Sequence, residues 1–160
     1  MDELQIHLLF NHVPVIGTVA ALLVVIIGLV MKNNAVRMTG LAVYLAMALA
    51  VVPTYLTGEG AEDRIENIAG ISKEVIETHE DMAQFTLWIM LATAAIAAVA
   101  LFAQWKSMSI APLISTMFVV IAIGASIQIG LTAHEGGKIR RPDLGSQPVL
   151  PTGAEAEDKD

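Results

Sequence analysis

Four long apolar stretches limit the folds open to this sequence more than any other feature. A bilayer core of about 30 Å takes about 20 apolar helical residues, so each stretch predicts one membrane-spanning helix. Apolar residues make up 55% of the chain and charged residues only 16%, against roughly 25% charged in an average soluble domain. We therefore predict an all-α integral membrane protein. Its predicted spans are residues 8–31, 38–56, 82–105 and 110–132.

The connections between the stretches predict how the helices are arranged. Residues 32–37 and 106–109 are short turns, and short turns make consecutive helices antiparallel. We therefore predict an up-down-up-down four-helix bundle that covers residues 1–134. Residues 135–160 form a predicted acidic, Pro/Gly-punctuated C-terminal tail. No internal repeat is visible in the sequence.

The connection between helices two and three, residues 58–81, is longer and rich in acids. Within it, Ile65, Ile68 and Ala69 follow an amphipathic helical spacing. This spacing predicts a short interfacial helix that lies on the membrane surface. Ser72 is a predicted N-cap of the third helix, because serine side chains accept hydrogen bonds from the first helical N–H groups.

The distribution of charge predicts the orientation of the chain. The short turns contain Lys32, Arg37 and Lys106 and no acid, whereas all 16 acids fall on the opposite side. The positive-inside rule then places the short turns in the cytoplasm. We predict a multi-pass protein of a bacterial or archaeal cytoplasmic membrane with both termini outside. Its acidic outer surface would attract a basic soluble partner, such as a cytochrome.

All four histidines, His7, His12, His79 and His134, fall at this same predicted outer end. At 1.5 Å per helical residue, they lie within roughly 8 Å of one another in depth. Imidazole is a common ligand of haem iron and also suits copper, zinc and non-haem iron. We therefore predict these four residues as cofactor-binding or metal-binding residues, although an interfacial histidine taken alone is more often structural.

Other polar residues surround the histidines in the sequence. Three in the outer halves of their helices would either orient imidazoles or join helix to helix, namely Gln84, Ser126 and Gln128. Four acids near His79 and His134 would either join a metal shell or form a solvated face, namely Glu77, Glu80, Asp81 and Glu135.

Several kinds of chemistry are disfavoured by what the sequence lacks. It has no cysteine, which excludes disulfides, thiolate metal sites and a covalently attached c-type haem. It has no nucleophile–base pair, no phosphate-binding loop and no nucleic-acid signature. We therefore predict no catalytic residues and no nucleic-acid partner, and a redox or structural subunit fits better than a stand-alone enzyme.

The sequence also resembles a known family. His7, His12 and Pro14 match the His-x4-His-x-Pro start of a bacterial group of four-helix membrane proteins that is catalogued as a domain of unknown function. The Thr57-Gly58 turn, His79 and Gly136-Gly137 are similar to that group as well. Its members often occur beside or fused to haem and iron–sulfur electron carriers. The resemblance implies redox work and supports a comparison with small b-type cytochrome subunits.

Three hypotheses for function follow. The first is an electron-transfer subunit that holds one or two b-type haems at the outer face, with His12 and either His79 or His134 as the ligand pair. Here His7 completes a second site or contacts a propionate, and the partners are quinol or a larger membrane complex and a carrier outside. The second is a non-haem copper, zinc or iron site. The third is a purely structural subunit of a larger membrane complex.

Overall fold

The computed structural model describes residues 3–65 and 72–140. Within these ranges the chain is helical apart from short turns, and no residue is in a strand. The six helical segments are α1 (Glu3–Phe10), α2 (His12–Val30), α3 (Asn34–Leu49), α4 (Val51–Ile65), α5 (Lys73–Trp105) and α6 (Ala111–Arg140).

The first two long helices are each interrupted once. Asn11 separates α1 from α2, and Ala50 separates α3 from α4, yet both residues keep right-handed helical angles. A proline follows each interruption by three residues, Pro14 in α2 and Pro53 in α4. Proline has no N–H, so the carbonyl four residues before it loses its helical hydrogen bond. The segments α1–α2 and α3–α4 therefore each form one long interrupted helix.

The resulting four helices are long and apolar enough to cross a membrane, which confirms that part of the prediction. Large apolar side chains cover their outer surfaces, and Ile16, Trp88 and Val120 are 65%, 67% and 68% exposed. Such residues face outward at no cost only where the solvent is itself apolar. These are the helices of a multi-pass membrane protein. The candidate spans are Gln5–Val30, Asn34–Ala61, Lys73–Trp105 and Ala111–Ile139.

The core of the bundle is built mainly from small residues. Helix α2 packs against α3 and α6, and α5 packs against the same two helices. A Cβ atom added to Gly28 would lie 2.5 Å from the backbone nitrogen of Arg37, so α2 and α3 approach closely there. The main large side chains at the centre are Tyr44 and Phe118, whose rings meet edge to face at 4.9 Å. The buried alanines include Ala21, Ala48, Ala94, Ala97, Ala100 and Ala122.

Both short turns reverse the chain with the same backbone motif. Lys32 and Ser107 each have a φ of 52°, which is the left-handed region. The N–H of Asn33 bonds the carbonyl of Gly28 at 2.9 Å, and the N–H of Met108 bonds that of Ala103 at 3.0 Å. These are Schellman motifs, which end a helix and turn the chain back.

At the opposite end, the helices extend further than the predicted spans. Residues 58–65 of the connection continue α4. Of the three residues that mark the predicted interfacial helix, Ile65 ends α4, while Ile68 and Ala69 lie outside the described residues, as do all of residues 66–71. Ser72 precedes α5 in an extended conformation, as an N-cap does, but its side chain makes no capping hydrogen bond. Helix α6 continues to Arg140, six residues past the predicted boundary at 134. The rest of the predicted tail, residues 141–160, lies outside the described residues.

Candidate functional site

His7 in α1 is half-buried and contacts the second long helix. Its Nδ1 lies 3.0 Å from the carbonyl oxygen of Thr54 in α4. A carbonyl oxygen only accepts hydrogen bonds, so Nδ1 is the donor and the Nε2 of the neutral ring keeps its lone pair. Gly58, one turn further along α4, lies against the ring, because a Cβ atom there would be 3.2 Å from the His7 Cε1.

His79 in α5 makes the same set of contacts with α6. Its Nδ1 lies 3.1 Å from the carbonyl oxygen of Thr132, which again makes Nδ1 the donor. Gly136, one turn beyond Thr132, is even closer to the ring than Gly58 is in the other case. A Cβ atom at position 136 would be 2.8 Å from the Cε1 of His79 and 3.2 Å from its Nε2.

The two rings lie at the same end of the bundle, and we call His7 and His79 the histidine pair. They are close enough to interact electrostatically, and the carboxylate of Glu135 also interacts electrostatically with His79. Within residues 3–65 and 72–140, no hydrogen bond to a protein group engages the Nε2 of either ring. Histidines that ligate metals show this arrangement, in which one nitrogen is fixed by a carbonyl and the other is free to coordinate.

Hydroxyl and amide groups form a polar layer beneath His79. The hydroxyls of Thr86 and Thr132 are 2.7 Å apart, and the Gln128 Nε2 donates to the Thr86 hydroxyl at 3.2 Å. These bonds join α5 to α6 and hold Thr132, whose carbonyl orients His79. Gln128 therefore supports the site indirectly, through two threonines, and also joins helix to helix.

The side of the site next to His7 is different, because it is apolar and open. The Oδ1 of Asn11, one turn from His7 along the helix, is buried without a hydrogen-bond partner among the described residues. Thr54, whose carbonyl accepts the hydrogen bond of His7, lines an apolar cavity of about 300 Å³ between the two proline-containing helices. It is lined by Ile6, Phe10, Val13, Pro14, Ala50, Pro53, Thr54 and Thr57.

The other two histidines do not join the histidine pair. His12 in α2 and His134 in α6 are both exposed, and neither imidazole makes a hydrogen bond to another described residue. The ligand pairing of His12 with His79 or His134 stays a prediction. Among the side chains that the structure describes, no three His, Asp or Glu residues come together in a group that could hold a metal ion. The described part of the chain therefore lends no support to a non-haem metal site.

The remaining polar residues that the sequence singled out take other roles. Gln84 is exposed and interacts with Tyr55, while the Ser126 Oγ is buried next to the hydroxyl of Tyr44. Glu135 forms an ion pair with Lys138 at 2.7 Å. The acids Glu77, Glu80 and Asp81 are exposed, as a solvated face requires.

Sequence reasoning missed the carbonyl groups and most of the glycine contacts that hold the two rings. Thr54 and Gly58 are four residues apart, and so are Thr132 and Gly136. This shared Thr-x3-Gly spacing is the signal that could have identified them. It also marks a structural repeat, because each helical pair contributes one histidine, one threonine carbonyl and one glycine. The sequence analysis, which found no internal repeat, did not detect this one.

Comparisons with models of protein families, with curated proteins and with solved structures found no match to this chain. The resemblance to the bacterial four-helix family therefore stays a prediction.

Proposed function

We propose that this protein is a membrane electron-transfer subunit that binds one b-type haem between His7 and His79. The observation that supports this proposal is that two imidazoles at the same end of the bundle are held alike, each with its Nδ1 donating to a backbone carbonyl. A haem iron takes its four equatorial ligands from the porphyrin and needs only two axial ligands from the protein. A bare zinc ion, in contrast, takes three or four protein ligands. Two imidazoles therefore match a haem better than a bare ion.

The surroundings of the histidine pair fit a flat, largely apolar group. Gly58 and Gly136 let each imidazole pack directly against the neighbouring helix, because a Cβ atom at either position would crowd the ring. Thr54, whose carbonyl holds His7, also lines an apolar cavity of about 300 Å³, and apolar walls with a few polar groups are typical of cofactor sites. The Oδ1 of Asn11, one turn from His7, is a buried polar group without a partner among the described residues.

The residues of this chain would hold the bound haem and influence its redox properties. When bound, a haem supplies reversible one-electron chemistry. The carbonyls of Thr54 and Thr132 fix the tautomer and the plane of each imidazole, and a hydrogen bond of this kind raises the basicity of the coordinating nitrogen. The apolar helices around the pair keep water away, which favours the less charged state of a buried redox centre.

The proposed site faces outward. The two short turns carry Lys32, Arg37 and Lys106 and no acid, so the positive-inside rule puts them in the cytoplasm and the histidine pair at the outer face. A single haem there cannot carry electrons across the bilayer. It would exchange them between quinol, or another subunit of a membrane complex, and a soluble carrier outside. The acidic outer surface would attract a basic carrier.

The test is haem content in the intact chain, with two of its own histidines as controls. We expect purified protein, expressed with haem supplied, to give a Soret band and a b-type pyridine haemochrome. His7→Ala and His79→Ala should each lower haem retention at least tenfold, because each removes an axial ligand. His12→Ala and His134→Ala change the same residue type at exposed positions and should retain haem at the wild-type level.

Three results would contradict the proposal. One is the absence of haem absorbance in well-folded wild-type protein. Another is an equal loss of haem in the His12→Ala or His134→Ala variant. The third is a stoichiometric transition metal without any porphyrin signal, measured by mass spectrometry of the purified protein.

A further inference from the structure

An apolar groove of about 360 Å³ lies between α3 and α5 on the side of the bundle that faces lipid, near the short turns and away from the histidine pair. We call it the α3–α5 groove. Ala98, a small exposed residue, leaves the space that forms it. From residue 38 to residue 45 the groove follows about 10 Å of helix. It is lined by Met38, Leu45, Ala98, Leu101, Phe102 and Trp105.

The side chain of Lys106 is held at the end of this groove that is nearest the turn between α5 and α6. The ammonium group of Lys106 lies 4.3 Å from the ring centroid of Trp105 and 5.9 Å from that of Phe102. Both aromatic residues line the groove. Cation–π contacts of this kind hold an ammonium group over a ring, so the charge of Lys106 is fixed where the apolar surface ends.

A second cation, Arg37, is buried at the same end of the bundle. It is only 8% exposed, and its Nη2 donates to the Gln104 Oε1 at 3.0 Å. Arg37 precedes Met38, and Gln104 precedes Trp105, so this bond joins the two helices at the level where the groove ends. The Arg37 Nε is buried with no hydrogen-bond partner among the described residues.

Among the described side chains, no carboxylate forms an ion pair with either cation. Neither short turn contains an acid, and an arginine stays protonated at any physiological pH. Burying a charge is costly unless an anion or hydrogen bonds compensate it. The partners of Arg37 are the neutral side chains of Gln104 and Asn34, so this end of the bundle carries a positive charge that would favour an anion.

We propose that the α3–α5 groove binds an anionic phospholipid. One acyl chain lies along the groove, and the phosphate group lies next to Lys106, within the field of Arg37. Clustered cations beside transmembrane helices attract anionic headgroups in this way. A phosphatidylglycerol satisfies both the apolar and the charged part of the site, whereas a phosphatidylcholine offers the same chains without the net negative charge.

The test compares lipids and variants of the full chain in detergent, with binding measured by native mass spectrometry and by thermal unfolding. We expect phosphatidylglycerol to bind and raise the unfolding temperature, and phosphatidylcholine or inorganic phosphate to have little effect. Lys106→Gln should weaken phosphatidylglycerol binding about fivefold, which corresponds to the loss of about 1 kcal/mol for one cation near an anionic headgroup. Ala98→Phe should weaken it by filling the groove.

Two matched controls make the result specific. Lys32→Gln removes a cation from the other short turn, and Lys138→Gln removes one from the opposite end of the bundle, so both should keep wild-type phosphatidylglycerol binding. Equal stabilisation by phosphatidylcholine would overturn the proposal, as would an effect of inorganic phosphate alone. An equal loss of binding in the Lys32→Gln and Lys106→Gln variants would overturn it as well, because charge alone would then explain binding.

Discussion

At the scale of single residues, two adjacent glycines near the histidine pair, Gly136 and Gly137, differ in their surroundings. Gly136 lies in the last turns of α6, where glycine normally weakens a helix, and a Cβ atom there would meet the His79 ring at 2.8 Å. Gly137 is its neighbour in the same helix, yet a Cβ atom at that position would meet nothing within 4 Å. The first glycine is therefore explained by the ring beside it, and the second is not.

This difference predicts opposite outcomes for two adjacent substitutions. Gly136→Ala should displace the His79 ring and lower haem affinity at least tenfold in a spectroscopic titration. Gly137→Ala should leave haem affinity unchanged and raise the unfolding temperature slightly, since alanine favours a helix by up to about 1 kcal/mol over glycine. If both variants bind haem like the wild type, the close packing of residue 136 against the ring has no role in the site.

The rotation of helices is the part of the site that the sequence did not determine. His7 and His12 are five residues apart, which turns their side chains about 140° from each other on a helix. The sequence did not predict that the His7 side chain faces into the bundle and the His12 side chain faces away from it. Helix rotation depends on packing against neighbours, and here the contact with Thr54 fixes it.

At the scale of helices and turns, the sequence was more informative. The lengths of the apolar stretches predicted the four long helices, because the bilayer thickness sets that length. Their ends at the histidine pair were predicted less well, since α4 and α6 continue through polar residues to Ile65 and Arg140. Hydropathy marks where the apolar stretch ends, but it does not detect contacts beyond that point, such as the close packing of Gly136 in α6 against the His79 ring.

The two short turns are strained in a way that can be tested. Ser107 adopts a φ of 52°, a conformation that glycine takes at little cost and other residues do not. Ser107→Gly should therefore stabilise the protein by about 1 kcal/mol, seen as a higher unfolding temperature in detergent. Ser109→Gly changes the same residue type two positions away, where φ is not positive, and should be neutral or slightly destabilising. A lower unfolding temperature for Ser107→Gly would contradict this account of the turn.

The whole molecule has two ends of opposite character. Among the described residues, one end combines the histidine pair with the acidic side chains, and the other combines the two short turns and the buried Arg37. Each helical pair contributes the same elements to the first end, a histidine on the earlier helix with a threonine carbonyl and a glycine on the later one. This repeat places two equivalent imidazoles at one end of the bundle, and the proposed shared haem site rests on it.

Haem stoichiometry tests that central claim most directly. Haem titrated into purified apoprotein should saturate at one equivalent per chain and give the spectrum of a low-spin iron with two imidazole ligands. Saturation at two equivalents would mean that the histidines form separate sites. A high-spin spectrum, or a low-spin spectrum that survives in the His7→Ala and His79→Ala variants, would show that these two residues do not share one cofactor.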